Sequence, residues 1–294
     1  MPRAYVHQIL NYYTPPQALD PGFLVLDNRS NERPDWYEYW PIRRFLREAA
    51  LDEAALYGFL SPKFALKTNL DSAAVRRIVD RADPAVEVIL LSPSIHNTAH
   101  HWNVFDHGDA EHPGLKALAA QFFARIGKAT DLDALVTDSR NTVNSNFFLA
   151  TPRFWRAWLE VNEALYAIAE DPSDPLGESL RTPVPYRGRR DVQMKIFLME
   201  RIATWILCHG GFVACARDPF ASGARIYKLP FAVICDALKI AYTSERRGQY
   251  RDVFRMMRGL RKSLNLQIRV GDLVGSARVR PFLRTLAGYW SGGE

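Results

Sequence analysis

His96, His100, His101, His107 and His112 crowd one stretch of the chain together with Asp106, Asp109 and Glu111. If this stretch were helical, His96 and His100 would share a face at i and i+4, a spacing that can hold a divalent metal. A metal-dependent hydrolase could be built on such a cluster. No Glu stands at the second position of an HExxH pattern, however, and Gly108 and Pro113 make much of the stretch a loop. The same histidines also fit hydrogen-bonding groups lining a substrate cleft, or solvated loop residues. A second constellation is Trp36-Tyr37-Glu38-Tyr39-Trp40-Pro41-Ile42-Arg43-Arg44. It offers aromatic faces for base stacking and guanidinium groups for phosphate. It equally fits a helix that buries its aromatics and leaves two arginines in solvent. The sequence contains no GxxxxGK[ST], no GxGxxG and no GxSxG, which argues against P-loop kinases, dinucleotide dehydrogenases and α/β-hydrolases.

The elements that must position these residues alternate between strand and helix. Residues 4–13 read as a first strand, ended by Thr14-Pro15-Pro16, and 23–26 as a second. Residues 35–48 read as a helix capped by Asp35, with Pro41 as a kink or break. A strand over 56–60 precedes a helix over 71–81, capped by Asp71 or Ser72. The apolar run 86–91, flanked by Pro84 and Pro93, reads as a strand buried on both faces. A helix follows over 113–126, then a short apolar stretch at 135–136. Residues 144–150 read as a strand, and Pro152 opens a helix running to about Glu170. Residues 172–190, rich in proline and arginine, read as a mobile surface loop. Residues 191–209 read as a helix ended by Gly210-Gly211, 212–216 as a strand, and the remainder as largely helical. This alternation predicts an α/β sheet covered by helices, with ligands beyond the carboxyl ends of its strands.

Composition bounds the function. The chain has 294 residues, 48% of them hydrophobic, which predicts a sizeable buried core. Its apolar runs are too short to span a bilayer, and its start lacks a signal pattern, so a cytoplasmic location is expected. Cys208, Cys215 and Cys235 lack CxxC spacing and read as free thiols. The net charge of +6 suits an anionic partner: nucleic acid, a phosphorylated small molecule or a membrane surface. Arg246, Arg247, Arg251, Arg255, Arg258, Arg261 and Lys262 surround Val253, Phe254, Met256, Met257 and Leu260. Residues 245–262 therefore read as a basic amphipathic helix that could rest on an anionic membrane, bind nucleic acid or present a solvated basic face.

Four ordered segments resemble glycosyltransferases of the glycosyltransferase-A fold. Tyr37 to Leu46 precedes Leu56-Tyr57-Gly58-Phe59-Leu60-Ser61-Pro62-Lys63-Phe64; Asn144-Ser145-Asn146-Phe147-Phe148-Leu149-Ala150 runs into Arg153-Phe154-Trp155; Asp191-Val192-Gln193 follows. The closer resemblance is to bacterial capsule and O-antigen glycosyltransferases that carry a His-Tyr-Arg-Arg-Tyr strand end in place of Asp-x-Asp. Asp27-Asn28, Gly58-Phe59-Leu60 and Phe197-Leu198-Met199-Glu200-Arg201 carry it, over roughly residues 4–220. The chain departs from that family at Ser61-Pro62-Lys63-Phe64, where only Lys63 and Phe64 keep the cationic and aromatic character.

The resemblance implies a single nucleotide-sugar-binding domain over 1–220, with a mixed central sheet flanked by helices, and a helical C-terminal extension over 221–294. It implies sugar transfer from a nucleotide-sugar donor to a saccharide or lipid-linked saccharide acceptor, with no nucleic-acid partner; the basic helix 245–262 could add peripheral membrane contact. His7, Arg43, Arg44, Ser61 and Lys63 are the implied donor-binding residues. Lys63 with Arg43 or Arg44 would neutralise the leaving diphosphate without an obligatory metal, although manganese or magnesium could assist. Asp131-Leu132-Asp133 has the letters of Asp-x-Asp but reads as a loop cap. Asp138 and Asp191 are the candidate catalytic residues, Asp138 fitting an ion pair with Arg140 as well. Asn144, Asn146, His96 and His101 are the candidate acceptor-binding residues, the two asparagines also fitting a simple turn.

Overall fold

The computed structural model describes residues 3–92, 98–186, 190–217 and 229–274. The chain begins with β1 (Arg3–Asn11) and β2 (Leu24–Asn28), followed by α1 (Tyr39–Glu48), β3 (Ala55–Leu60), α2 (Phe64–Thr68) and α3 (Ser72–Arg81). Then come β4 (Val88–Leu90), a 3-10 turn at 98–100, α4 (Val104–Glu111), α5 (Leu115–Arg125), β5 (Phe148–Ala150) and α6 (Pro152–Glu170). α7 (Pro175–Arg181), β6 (Pro183–Tyr186), β7 (Arg190–Gln193), α8 (Met194–His209) and β8 (Ala214–Ala216) lead to the final helices α9 (Leu229–Glu245) and α10 (Gly248–Val274).

Among the described residues the central sheet has six strands in the order β2-β1-β3-β5-β4-β8. β1 runs parallel to β2 and β3, and β4 parallel to β8; β5 is antiparallel to both of its neighbours. The protein is thus an α/β fold on a mixed sheet. Period-two alternation divides the interior into two layers. Tyr57, Phe59, Val88, Leu90, Phe148 and Ala150 face the larger layer, which is closed by Trp155 and Trp158 of α6, Phe122 of α5 and Leu198 of α8. Leu56, Leu60, Ile89 and Leu149 face the smaller one, covered by Phe64 of α2 and Val75 and Val79 of α3. At about 1.5–3 kcal/mol for each large side chain buried, these layers dominate stability. Trp155 joins them to the backbone: its indole N–H donates to the Tyr57 carbonyl at 2.9 Å.

Local chemistry explains the element boundaries. Asp71 caps α3 by accepting from the Ala74 N–H at 2.7 Å. Pro152 fits the first turn of α6, where its missing N–H costs nothing. Pro41 likewise falls in the first turn of α1, so it neither kinks nor breaks that helix. Asp35 is not its cap; the carboxylate instead pairs with Arg33 at 2.9 Å and with buried Lys195 at 2.6 Å.

Four sequence expectations are corrected. The stretch read as a loop over 172–190 holds α7, capped by Asp174, and β6. The helix expected from Asp191 starts at Met194, because 190–193 pair with 183–186 as a hairpin. Of residues 144–150 only the last three are strand: Ser145 and Asn146 take left-handed φ of 60° and 53° and turn the chain into β5. The histidine stretch contains α4, whose interior Gly108 leaves room for Arg201: a Cβ there would lie 2.4 Å from Arg201 Nε.

The C-terminal helices pack back on the domain. α9 lies along the 98–100 turn and against α10. Phe254 of α10 is fully buried, its ring 4.2 Å from Trp102. Among the described residues no helix is long and apolar enough to cross a membrane.

Candidate functional site

The strand directions bring one edge of the sheet together. β1, β2, β3, β4 and β8 all end there, and antiparallel β5 starts there, with the Leu91 N–H donating to the Phe147 carbonyl at 2.9 Å. Open α/β sheets bind ligands at such an edge.

Over the ends of β1 and β2 lies a cavity of about 180 Å³ walled by Asn11, Asn28, Tyr12, Tyr13, Tyr37 and Glu38. Asn11 and Asn28 are the terminal residues of their strands and register partners. Their side chains interlock: Asn28 Nδ2 donates to Asn11 Oδ1 at 2.8 Å, and Asn11 Nδ2 to the Tyr13 hydroxyl at 3.1 Å. Asn28 Oδ1 is buried without a hydrogen-bond partner, an acceptor that a ligand donor would satisfy. Tyr12 and Tyr13 are 65% and 62% exposed, their rings edge to face at 5.1 Å. Tyr37 holds φ 47° and ψ −131°, a backbone state costing an aromatic residue on the order of 1–3 kcal/mol. It delivers Glu38 to the cavity wall.

Glu38 is the centre of a charged group drawn from three elements. Burial, then the charge of Glu200 on α8, push its carboxyl above the ordinary range, while Lys67 and Lys63 pull it down. Lys63 precedes α2 and Lys67 lies on it, both on the exposed surface. Lys67 Nζ donates to Ser145 Oγ at 3.1 Å and sits 5.3 Å from the centre of the Phe147 ring. Next along the turn, Asn146 Nδ2 donates to Met199 Sδ at 3.3 Å, and its buried Oδ1 has no hydrogen-bond partner. Two carboxylates, two ammonium groups and two strand-end asparagines therefore gather at the carboxyl edge of the sheet. Such a set can neutralise a phosphate leaving group and accept a proton from a hydroxyl.

The predicted site residues divide. Lys63 and Asn146 belong to this group. Ser61 is buried at the end of β3, and its carbonyl accepts from Gln8 and from the Phe64 N–H. Asn144 is held by the chain, its N–H donating to Ser92 Oγ at 3.0 Å and its Nδ2 to Thr98 Oγ1 at 3.3 Å. His7 lies mid-strand, its ring 4.7 Å from Phe45 and 5.4 Å from Phe59, and burial depresses its pKa. Arg43 is taken by Glu163 and stacks over Tyr166, whereas Arg44 binds Glu32 and the Asp27 carbonyl. Asp138 is 1% exposed, ion-paired with Arg140 at 2.8 Å, and it also accepts the Arg140 N–H. Asp191 is exposed on β7, opposite Pro185. Asp131 closes a turn by accepting from the Asp133 and Ala134 N–H groups, and Asp133 pairs with Lys116. His96 lies outside the described residues. His101 directly follows the 98–100 turn, its ring 5.3 Å from that of His107. Among the described residues no group of three His, Cys, Asp or Glu side chains is placed to hold a metal ion.

Sequence reasoning missed Glu38, Glu200, Lys67, Asn11 and Asn28 as site residues. Glu38 and Glu200 each stand inside a segment that carried the family resemblance, so the signal was present without the pairing. Comparison with family models, with curated proteins and with solved structures finds no match to this chain.

Proposed function

We propose that the protein is a glycosyltransferase that moves a sugar from a nucleotide-sugar donor to a growing cell-surface polysaccharide or lipid-linked oligosaccharide. The observation that carries this reading is the convergence of Glu38, Glu200, Lys63 and Lys67 beside a polar cavity with two exposed tyrosines, at the carboxyl edge of a mixed sheet. The order β2-β1-β3-β5-β4-β8, with β5 reversed, agrees with a glycosyltransferase-A-like fold. In this reading the nucleoside base stacks on Tyr12 or Tyr13, and Asn11 and Asn28 read the nucleoside.

For an inverting transfer, the acceptor hydroxyl oxygen bonds to the anomeric carbon as the bond from that carbon to the phosphate oxygen breaks. Glu200 takes the hydroxyl proton, with Glu38 as its proton-holding neighbour. The electron pair of the broken bond leaves on the nucleoside diphosphate, which Lys63 and Lys67 neutralise. This moves the base from Asp138, which Arg140 engages, and from Asp191, which stands on the hairpin. Arg43 and Arg44 become braces of the aromatic wall. Manganese or magnesium can share the diphosphate charge without being required by these residues. A lipid-linked acceptor would bring the protein to the inner face of the cytoplasmic membrane. There α10 would present Val253, Met256 and Leu260, all exposed, with the arginines beside them.

The test is a thermal-shift panel of nucleotides and nucleotide sugars, with and without manganese, followed by turnover with the stabilising donor. At 100-fold excess over Kd a true donor adds about 2.7 kcal/mol of stability. Glu200→Gln is expected to lower kcat on the order of 10²–10⁴-fold while donor stabilisation persists. A panel in which no nucleoside diphosphate or its sugar shifts the melting temperature would end this reading.

A further inference from the structure

Asn31, Asn69 and Asn146 hold positive φ, a region that asparagine tolerates because its short polar side chain bonds to nearby backbone. Asn69, at φ 55° and ψ 35°, lies in the left-handed helical well. Tyr37 is of another kind. Its φ 47° and ψ −131° match the first central position of a type II′ turn, which glycine dominates.

The neighbours of Tyr37 force this state. Pro34–Trp36 form a 3-10 turn, and Glu38 already has the φ −68° and ψ −19° of the helix α1 that follows, its carbonyl accepting from the Ile42 N–H. Trp36 and Tyr39 are fully buried, and both are tied to α6. The Trp36 indole N–H donates to Glu170 Oε1 at 2.8 Å, and the Tyr39 hydroxyl to the Asn162 carbonyl at 3.2 Å. With anchors on both sides, the change of chain direction falls on Tyr37. Glycine would make the same turn without steric penalty. The ring that occupies this costly position is only partly buried, and it lines the polar cavity that Tyr12 and Tyr13 enter from the end of β1. Aromatic side chains thus reach one cavity from two separate segments, a strand end and a turn.

We propose that Tyr37 is a ligand-binding residue of this cavity, whose ring, together with that of Tyr12 or Tyr13, holds a planar nucleobase. Stacking suits any base, because each presents a π-face. That the planar group is a nucleobase rests on the glycosyl-transfer reading, whereas the service of the ring to the cavity instead of the core does not.

Thermal melts of the full chain carrying Tyr37→Gly or Tyr37→Ala separate cavity from core. Tyr37→Ala removes the ring and keeps the strain; Tyr37→Gly removes both. At an ordinary loop position the alanine variant is the more stable. Here Tyr37→Gly is expected to melt at least about 2 °C above Tyr37→Ala, and no lower than the wild-type protein. A Tyr37→Gly melting temperature several degrees below wild type would show that the ring serves the core, and would overturn the proposal. Uridine diphosphate and guanosine diphosphate are then titrated calorimetrically into wild type, Tyr37→Phe and Tyr37→Gly. The nucleotide that binds is expected to bind wild type and Tyr37→Phe alike, and Tyr37→Gly on the order of tenfold more weakly. Equal affinity for wild type and Tyr37→Gly overturns the proposal as well. If no nucleoside diphosphate binds the wild-type protein, the nucleobase and the glycosyl-transfer reading fall together, while the order of the melts still decides whether the Tyr37 ring belongs to the cavity or to the core.

Discussion

Gly108 and Gly259 are both glycines inside helices, yet the fold uses them in opposite ways. A Cβ at Gly108 would meet Arg201 Nε at 2.4 Å and Leu115 Cδ2 at 2.6 Å, whereas at Gly259 it would meet nothing within 4 Å. Gly108→Ala is therefore expected to destabilise by about 1–3 kcal/mol through overpacking, and Gly259→Ala to stabilise by about 0.5–1 kcal/mol through helix propensity. Urea unfolding of the two variants checks the opposite signs. Residue chemistry alone could not separate them, because the occupant of the space beside Gly108 comes from a helix far along the chain. The same holds for the candidate site. Lys63 and Asn146 were identifiable from the sequence as polar residues near strand ends. Asp138 was equally attractive there, and the fold pairs it with Arg140 at 2.8 Å.

At the scale of elements, caps and prolines were the readable signals. Asp71, Pro152 and the pair Gly210-Gly211 placed the limits of α3, α6 and α8 because each acts on its own backbone. α4 was missed because Gly108 and Pro113 read as loop signals, although its cap is local and only the other end of the capping amide reaches across the fold. Asn103 Oδ1 accepts from the Phe105 and Asp106 N–H groups at 2.9 Å, and Asn103 Nδ2 donates to the Leu132 and Leu135 carbonyls at 2.8 and 2.9 Å. Asn103→Ala loses the cap and leaves two carbonyls short of a donor. We expect a loss of about 2–4 kcal/mol, read from the shift in denaturant midpoint at constant slope. α10 offers a different test. Its exposed Val253, Met256 and Leu260 lie among arginines, while Phe254 turns inward onto Trp102. Flotation with anionic vesicles is expected to recover the protein and to lose it on Arg247→Glu/Arg255→Glu. Both arginines are exposed. Recovery that is equal for the two proteins would remove the membrane from the proposal.

For the whole molecule, His101 and His107 contribute to the response to acid. His101 and His107 titrate at about 3 and about 4 in the fold, against an ordinary value of 6.5, because burial and the charges of Arg201, Lys239, Arg258 and Arg261 oppose protonation. The unfolded chain binds more protons across that window, so this contribution is complete above pH 6.5 and is lost as pH falls toward 4. The melting temperature is expected to drop over that interval, and His101→Gln/His107→Gln to flatten the drop. An unchanged slope in the double variant would contradict the assignment. Strand and helix alternation, the strands read over 56–60 and 86–91, and the basic helical tail were legible in the sequence, because hydrophobic period and local capping act within a few residues. The reversal of β5 and the approach of Glu200 to Glu38 were decided by tertiary structure alone. Each joins residues far apart in the chain, and strand direction and charge proximity exist only once the sheet has formed and its helices have packed.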